Sequence, residues 1–213
     1  MRFTFIISIF LFPLILSSQQ IGILKYDGGG DWYANPTSLP NLINFSNQNT
    51  KTAIDTNIVT VSPDSEDLFS LPIVFLTGHG NVYFDDKAVE NLRNYLISGG
   101  FIHISDNYGL DKYIRREMKK VFPKLSFQEI PTSHPIFHQT FDFPKGLPKI
   151  HEHDKKAPQG FGLFYEGRLI AFYDYESDLS DGWEDKAIHN NPNEVRQKAL
   201  KMGSNIIEFA FKN

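Results

Sequence analysis

The chain is expected to fold as an α/β protein, a flavodoxin-like three-layer sandwich with a mostly parallel sheet, an added β-hairpin and a C-terminal helix. Three observations predict it. Residues 71–108, LPIVFLTGHGNVYFDDKAVENLRNYLISGGFIHISDNY, read as one complete strand, helix, strand unit, and two apolar strands joined by a crossover helix pair most readily as parallel neighbours with a right-handed connection. Strand and helix patterns alternate along the preceding and following stretches, as they do in βαβ folds. The chain then ends on a hairpin and an amphipathic helix, which can extend and close such a sheet.

Taken in order, residues 1–18 stand apart. Arg2 is a minimal positive n-region, residues 3–16 are an apolar run containing Pro13, and Ser17-Ser18-Gln19-Gln20 is a small-to-polar junction. This reads as a signal peptide cleaved near Ser18. The run is shorter than the roughly 20 residues of a membrane span, which disfavours an uncleaved anchor. Residues 19–213 then form a single α/β domain.

Residues 21–26 form the first strand, broken by Asp27-Gly28-Gly29-Gly30. Three consecutive glycines permit a sharp turn or close approach but lack the spacing of a dinucleotide fingerprint. Thr37 or Ser38 caps a helix with Pro40 in its first turn, ending near Ser46, and residues 57–61 are the second strand. In the central unit, residues 73–76 are stopped by Gly78 and Gly80, and residues 101–105 are entered through Gly99-Gly100. Between them Asp85 or Asp86 supplies an N-cap, Val89, Leu92 and Leu96 recur at helical spacing, and Gly99 suits a left-handed C′ position. Asp111 caps the next helix, whose Ile114, Met118 and Val121 share a face and which Pro123 ends.

Leu125, Phe127 and Glu129-Ile130 read as a half-buried strand. Residues 131–157, with Pro131, Pro135, Pro144 and Pro148 and with His134, His138, His151 and His153, read as an extended surface excursion. Residues 163–165, the Glu166-Gly167 turn and residues 168–173 spell a hairpin expected to add antiparallel strands. Asn191 as N-cap, Pro192 at N1 and Glu194 at N3 open the last helix, with Val195, Ala199, Met202, Ile206 and Phe209 as its apolar stripe.

Composition narrows the function classes. Lys and Arg number 21 against 25 Asp and Glu, a net charge of −4. The densest basic group, Lys112, Arg115, Arg116, Lys119 and Lys120, repeats at helical spacing and reads as a solvated helix face. Nucleic acid and anionic membrane surfaces are disfavoured as partners, and no membrane span is expected once the signal is removed. Cysteine is absent, which removes a lipid-attachment thiol, a disulfide framework and a thiol nucleophile together. The 19 Phe and 9 Tyr suit a filled core and an aromatic-walled cleft. No Gly-x-Ser-x-Gly elbow, Walker loop, HExxH or CxxC occurs, so those reaction classes drop out.

In open α/β sheets ligands bind outside the carboxyl ends of the strands. Neighbouring strands lie about 4.8 Å apart, so His79, past one strand of the central unit, and Asp106, past the other, can converge on one small ligand. They are the candidate catalytic pair, since a histidine beside a carboxylate serves as base, metal ligand or orienting donor; capping of turn and helix amides is the competing reading. Asp27, Asp31, Trp32 and Tyr33 after the first strand, and Asn107 and Tyr108 after the central unit, are candidate ligand-binding walls, with His134 of His134-Pro135-Ile136-Phe137 placed near the same cleft. Turn-forming Asp and a packed Trp explain the first group equally well.

His103 lies mid-strand and reads as a buried structural histidine. His151 and His153 share a face if extended, but two histidines are a weak metal signal. Gly182-Trp183-Glu184-Asp185, preceded by Asp174, Asp178 and Asp181, is an acidic aromatic loop that could cover the site or bind a cation, and a solvated loop is the preferred reading. No metal ligands are assigned, and the sequence indicates no particular cofactor.

The strings KYDGGGDWY, FLTGHG, GGFIHISDNYG, HPIF, the Gly-Arg hairpin, DGWED and KMGSNIIEFAF together resemble the domain of unknown function 4159 family over nearly all of residues 21–211. That family looks like a member of the class I glutamine amidotransferase-like superfamily, near the ThuA-like proteins, which also carry a Gly-Gly strand and a downstream His-Pro. The resemblance implies the flavodoxin-like sandwich. It also implies a cysteine on a strand-to-helix elbow, which would fall near Asp106 and Asn107, and this chain has no cysteine. Thiol-dependent glutamine hydrolysis is therefore excluded, and no elbow pattern supports Ser105 in its place.

The expected function is that of an exported, periplasmic or extracellular domain that binds a small polar or carbohydrate-like ligand, or an envelope protein partner segment, in a cleft at the strand C-termini. One alternative is a hydrolase or isomerase in which His79 is the base and Asp106 orients it or helps hold a metal ion. Another is a structural component of an envelope assembly, which places no chemical demand on the cleft.

Overall fold

The computed structural model describes residues 19–213, so the signal peptide expected at residues 1–18 lies outside the described residues. Among the described residues seven strands form one sheet in the order β2-β1-β3-β4-β7-β6-β5. β1 (Ile21–Leu24) pairs in parallel with β2 (Val59–Val61) and with β3 (Ile73–Gly78). β3 pairs in parallel with β4 (Phe101–Asp106), and β4 with β7 (Arg168–Tyr175). This order of five parallel strands is the flavodoxin type, with the winding reversing between β1 and β3. β6 (Gln159–Tyr165) runs antiparallel to β7, and β5 (Gln128–Glu129) antiparallel to β6.

The hairpin therefore adds one antiparallel strand and one parallel strand, where the sequence reading expects two antiparallel ones. The apolar content of the second strand explains this. Leu169, Ile170, Ala171, Phe172 and Tyr173 are all buried, and a strand buried on both faces belongs inside a parallel sheet. The segment around Leu125 and Phe127 reaches the ladder only at Gln128 and Glu129, which are exposed, while Leu125 and Phe127 pack against the core from below.

Alternation of side chains sends successive strand residues to opposite faces. On one face Val74, Leu76, Ile102 and Ile104 meet Leu92 and Leu96 of α2 (Asp86–Ile97) and Ile114 and Met118 of α3 (Asp111–Val121). On the other, Ile73, Phe75 and Phe101 meet Leu42 and Ile43 of α1 (Ser38–Asn49) and Met202 and Ile206 of α5 (Asn193–Lys212). Three layers result. β3 and β4 are buried along their whole length, which makes the central unit the least exposed part of the sheet. No helix of the described residues is long and apolar enough to cross a membrane.

Helix ends show where local signals held and where tertiary contacts displaced them. Asp85 caps α2 by accepting from the Ala88 amide at 2.8 Å, and Gly99 follows the helix at φ 116°. α3 is capped differently from expectation. Asp111 is its first helical residue, bonded to Arg115, and the Leu110 amide is held by Asp106 Oδ1 at 3.0 Å. α5 starts one residue late, because the carboxamide oxygen of Asn191 is engaged by His151 at 2.9 Å and Pro192 takes the cap position. Within residues 131–157, a 3-10 turn at Pro135–Phe137 buries Ile136 and Phe137 beneath α5, so this excursion supplies part of the core.

Candidate functional site

The loops that follow β1, β3, β4 and β7 meet at the carboxyl edge of the sheet. At the β1/β3 switch point, the glycines pack backbone against backbone. A Cβ on Gly30 would lie 2.7 Å from the carbonyl oxygens of His79 and Asn81, and Gly78, at φ 136°, leaves no room beside Tyr26 and Asp31. Gly30 donates to the Asn81 carbonyl at 3.0 Å and Tyr83 to the Asp27 carbonyl at 2.8 Å. The glycine triplet thus fastens one loop to the next, which explains it without a phosphate.

That packing brings Asp31 to His79. One Asp31 oxygen accepts from the His79 backbone amide, and the other lies 3.0 Å from His79 Nδ1, with the imidazole 54% exposed. The ring is therefore oriented by a carboxylate at one nitrogen while more than half of it stays exposed, an arrangement open to a positioned base or hydrogen-bonding group. Trp32 is half-buried with Tyr33 set edge-on to it, and Tyr33 is exposed. Asp27 lines a separate small cleft with Lys25, Ser62, Asp64 and Tyr83.

Asp106 does not reach His79. Although Gly78 and Asp106 are register partners, the Asp106 carboxylate turns to the Leu110 amide and to the Tyr173 hydroxyl, each at 3.0 Å. The same hydroxyl lies 3.0 Å from Asp111 Oδ1. Burial raises the Asp106 pKa, with Asp111 adding to the shift, so this carboxyl holds a proton more readily than an exposed one. Asn107 is buried and accepts from Thr77 and Ser180 hydroxyls at 3.2 and 2.9 Å, leaving its own amide nitrogen without a partner. It is scaffolding beneath the site. His134 lies at the opposite end of the sheet, with its ring against Phe164 and Phe209 and its Nδ1 accepting from the Ile136 amide. The expectation that it borders the cleft is corrected by the 3-10 turn it caps.

Tyr108 has φ 78° at the β4–α3 turn, an uncommon conformation for an aromatic residue. Its ring stacks on His153 at 4.4 Å and its hydroxyl donates to Asp154 at 3.0 Å. It forms one wall of a cavity of about 440 Å³ that Tyr113, Tyr175, Asp106, Asp111, Asp154 and Glu176 also line. Lys156 bonds Asp154 and the Tyr175 hydroxyl at its rim. Hydrogen bonding to Asp154 raises the Tyr108 pKa, so the phenol remains a neutral donor.

The segment after β7 departs most from the sequence reading. Asp174 and Asp178 are buried, at 0% and 1% exposure, where a solvated loop was expected. His103 is buried as expected, but it has a carboxylate partner, Asp174 Oδ2, at 2.7 Å, and Ser105 donates to the other Asp174 oxygen at 3.0 Å. Burial lowers the His103 pKa to about 3 and raises that of Asp174 well above the usual carboxylate range, so burial favours the neutral form of each. Burial likewise pushes Asp178 up to about 6, against the hydrogen bond from His153. His151, Asp181 and His189 form a second cluster beside it. Of these, His189 carries no sequence signal, while His151 and His153 were visible as a pair whose carboxylate partners lie some 25–30 residues away.

A protein-family model described as Domain of unknown function (DUF4159) matches residues 20–211. The chain belongs to that family. A search of curated proteins finds no match.

Proposed function

We propose that this family member is an exported amidotransferase-like domain without a thiol nucleophile, which binds a small polyhydroxylated, carbohydrate-like ligand in the cavity beside β4. The observation that carries this reading is the wall chemistry of that cavity: three tyrosines, Tyr108, Tyr113 and Tyr175, facing four carboxyl groups, Asp106, Asp111, Asp154 and Glu176, around about 440 Å³. Aromatic faces cover the C–H surface of a sugar ring, and carboxylates accept strong hydrogen bonds from its hydroxyls. The volume falls within the roughly 300–1,000 Å³ of small-molecule sites. Superfamily kinship is supported by the strand order and by the strained residue at the strand-to-helix turn after β4, which here is Tyr108. Export rests on the leader-like residues 1–18; mass spectrometry of the exported protein should find a chain beginning near residue 19, and an intact Met1 would refute cleavage.

The binding reading is tested by saturation-transfer NMR against a panel of mono- and disaccharides. Tyr108→Ala should weaken the bound sugar at least tenfold while lowering stability by less than about 1 kcal/mol, since the side chain is half exposed. A panel in which no sugar or polyol binds the native chain would sink the proposal. One observation favours a hydrolase or isomerase as the second reading: His79 is held by Asp31, which takes the orienting role expected of Asp106. In that case His79→Ala abolishes turnover of the sugar identified by the panel, whereas pure binding leaves its affinity intact and shows no turnover in either protein.

A further inference from the structure

We propose that His151, Asp181 and His189 hold a divalent transition-metal ion, with zinc the best match to the donors. The three come from separate segments: an irregular stretch before β6, the 3-10 turn Leu179–Gly182 after β7, and the end of α4 (Lys186–His189). One ligand atom from each lies within 4.8 Å of the other two. His151 Nδ1 is 3.0 Å and His189 Nε2 is 3.9 Å from Asp181 Oδ2. Donors around tetrahedral zinc, with bonds near 2.0–2.1 Å, sit about 3.3 Å apart. The two spacings to Asp181 bracket that value, and the two imidazole nitrogens lie within 4.8 Å of each other, so the three donors close on one ion by small side-chain rotations.

Three features make room for a cation here. His151 Nε2 lies 2.9 Å from Asn191 Oδ1 and donates to it, so the Nδ1 that faces the Asp181 carboxylate at 3.0 Å must carry either a proton or a metal ion. His189 Nε2 is buried and has no hydrogen-bond partner. Asp178 lies 3.6 Å from His151 Nδ1 through one oxygen, which also bonds His153, while its other oxygen is buried without a partner. A divalent ion gives the two imidazole nitrogens an acceptor for their lone pairs and offsets the charge of two poorly solvated carboxylates. The outer contacts also match those of ligating side chains. Asn191 stands behind His151, and Asn35 donates to Asp181 Oδ1 at 2.7 Å. Two imidazoles and one carboxylate leave a fourth position for water or substrate, as in catalytic zinc sites. The site stands independently of the sugar reading.

The test uses the full chain, stripped with chelator and titrated with zinc chloride by calorimetry, with metal content read by mass spectrometry. One zinc per chain is expected, and cobalt(II) in its place should show the intense visible bands of four-coordinate geometry. His189→Ala and His151→Ala should each weaken zinc about 100-fold, while His138→Ala, whose ring is engaged by Asp142 and Thr132 on another loop, should not change it. If His151→Ala fails to fold, His189→Ala decides, because its short helix is mostly exposed. A stripped chain that takes up no zinc, or a His189→Ala protein that binds it as tightly as the native chain, would overturn the proposal.

Discussion

The two ends of the sheet's carboxyl edge hold similar residues in opposite ways. After β1 and β3, His79 meets Asp31 at the surface, and the loops are fixed by glycines and backbone hydrogen bonds. Within β4 and β7, His103 meets Asp174 almost out of reach of solvent, against Trp183 and Phe75. The same chemical pair is thus exposed at one end and an internal strut at the other. Exposure, and not residue identity, decides whether a histidine–aspartate contact governs chemistry or stability.

The comparison is broken or sharpened most strongly by pH. Buried His103 has its pKa depressed from 6.5 to about 3, so its contribution to stability is complete above 6.5 and is lost as pH falls toward 3. Asp174 has its pKa raised, so its contribution is complete below its ordinary value of 3.8 and is lost as pH rises through the folded value. Above 3.8 the unfolded chain holds the histidine proton while the folded chain retains the aspartate proton, so over the range in which Asp174 stays protonated the two slopes oppose each other. Asp174→Asn keeps the shape and a neutral hydrogen-bonding group but removes one slope. The variant should lose about 2 kcal/mol relative to the native chain between pH 6.5 and about pH 4.5, and the gap should narrow again in alkaline buffer. Denaturant melts at several pH values measure it. Parallel curves for the two proteins would show that the pair is not held neutral by burial.

This contrast also marks what the sequence could reveal. The βαβ unit, the cap at Asp85, the Gly99 terminus and the docking of the last helix follow from local spacing, and the structure carries all of them. His103 was legible as buried because its neighbours Ile102 and Ile104 are apolar; its partner Asp174 was not, because the contact spans 71 residues and arises only when β7 inserts beside β4. Strand-end position drew attention to His79 and Asp106 together. It could not show that a turn of the β1 loop delivers Asp31 to His79 while Asp106 is diverted to the first amides of α3 and to Tyr173. The acidic segment after β7 looked solvated because charged residues usually are. Burial there depends on a loop in which Glu176 and Asp178 both take positive φ, tied down by Lys149 and Pro148, and no local pattern announces such a loop.

Tyr108 joins the two ends and gives the smallest effect. Its φ of 78° costs an aromatic residue about 1 kcal/mol relative to glycine, while its stacking on His153 and its bond to Asp154 give back a comparable amount at a half-exposed site. Tyr108→Gly loses the contacts and relieves the turn; Tyr108→Ala loses the contacts and keeps the strain. The glycine variant should therefore be more stable than the alanine variant by about 1 kcal/mol, read as a difference in denaturant midpoint at equal slope, although both lose the same ring from the cavity. If the glycine protein proves no more stable than the alanine protein, the turn stores no strain. The conformation of Tyr108 would then follow from its contacts, and the proposed amidotransferase-like kinship would lose the support of this turn.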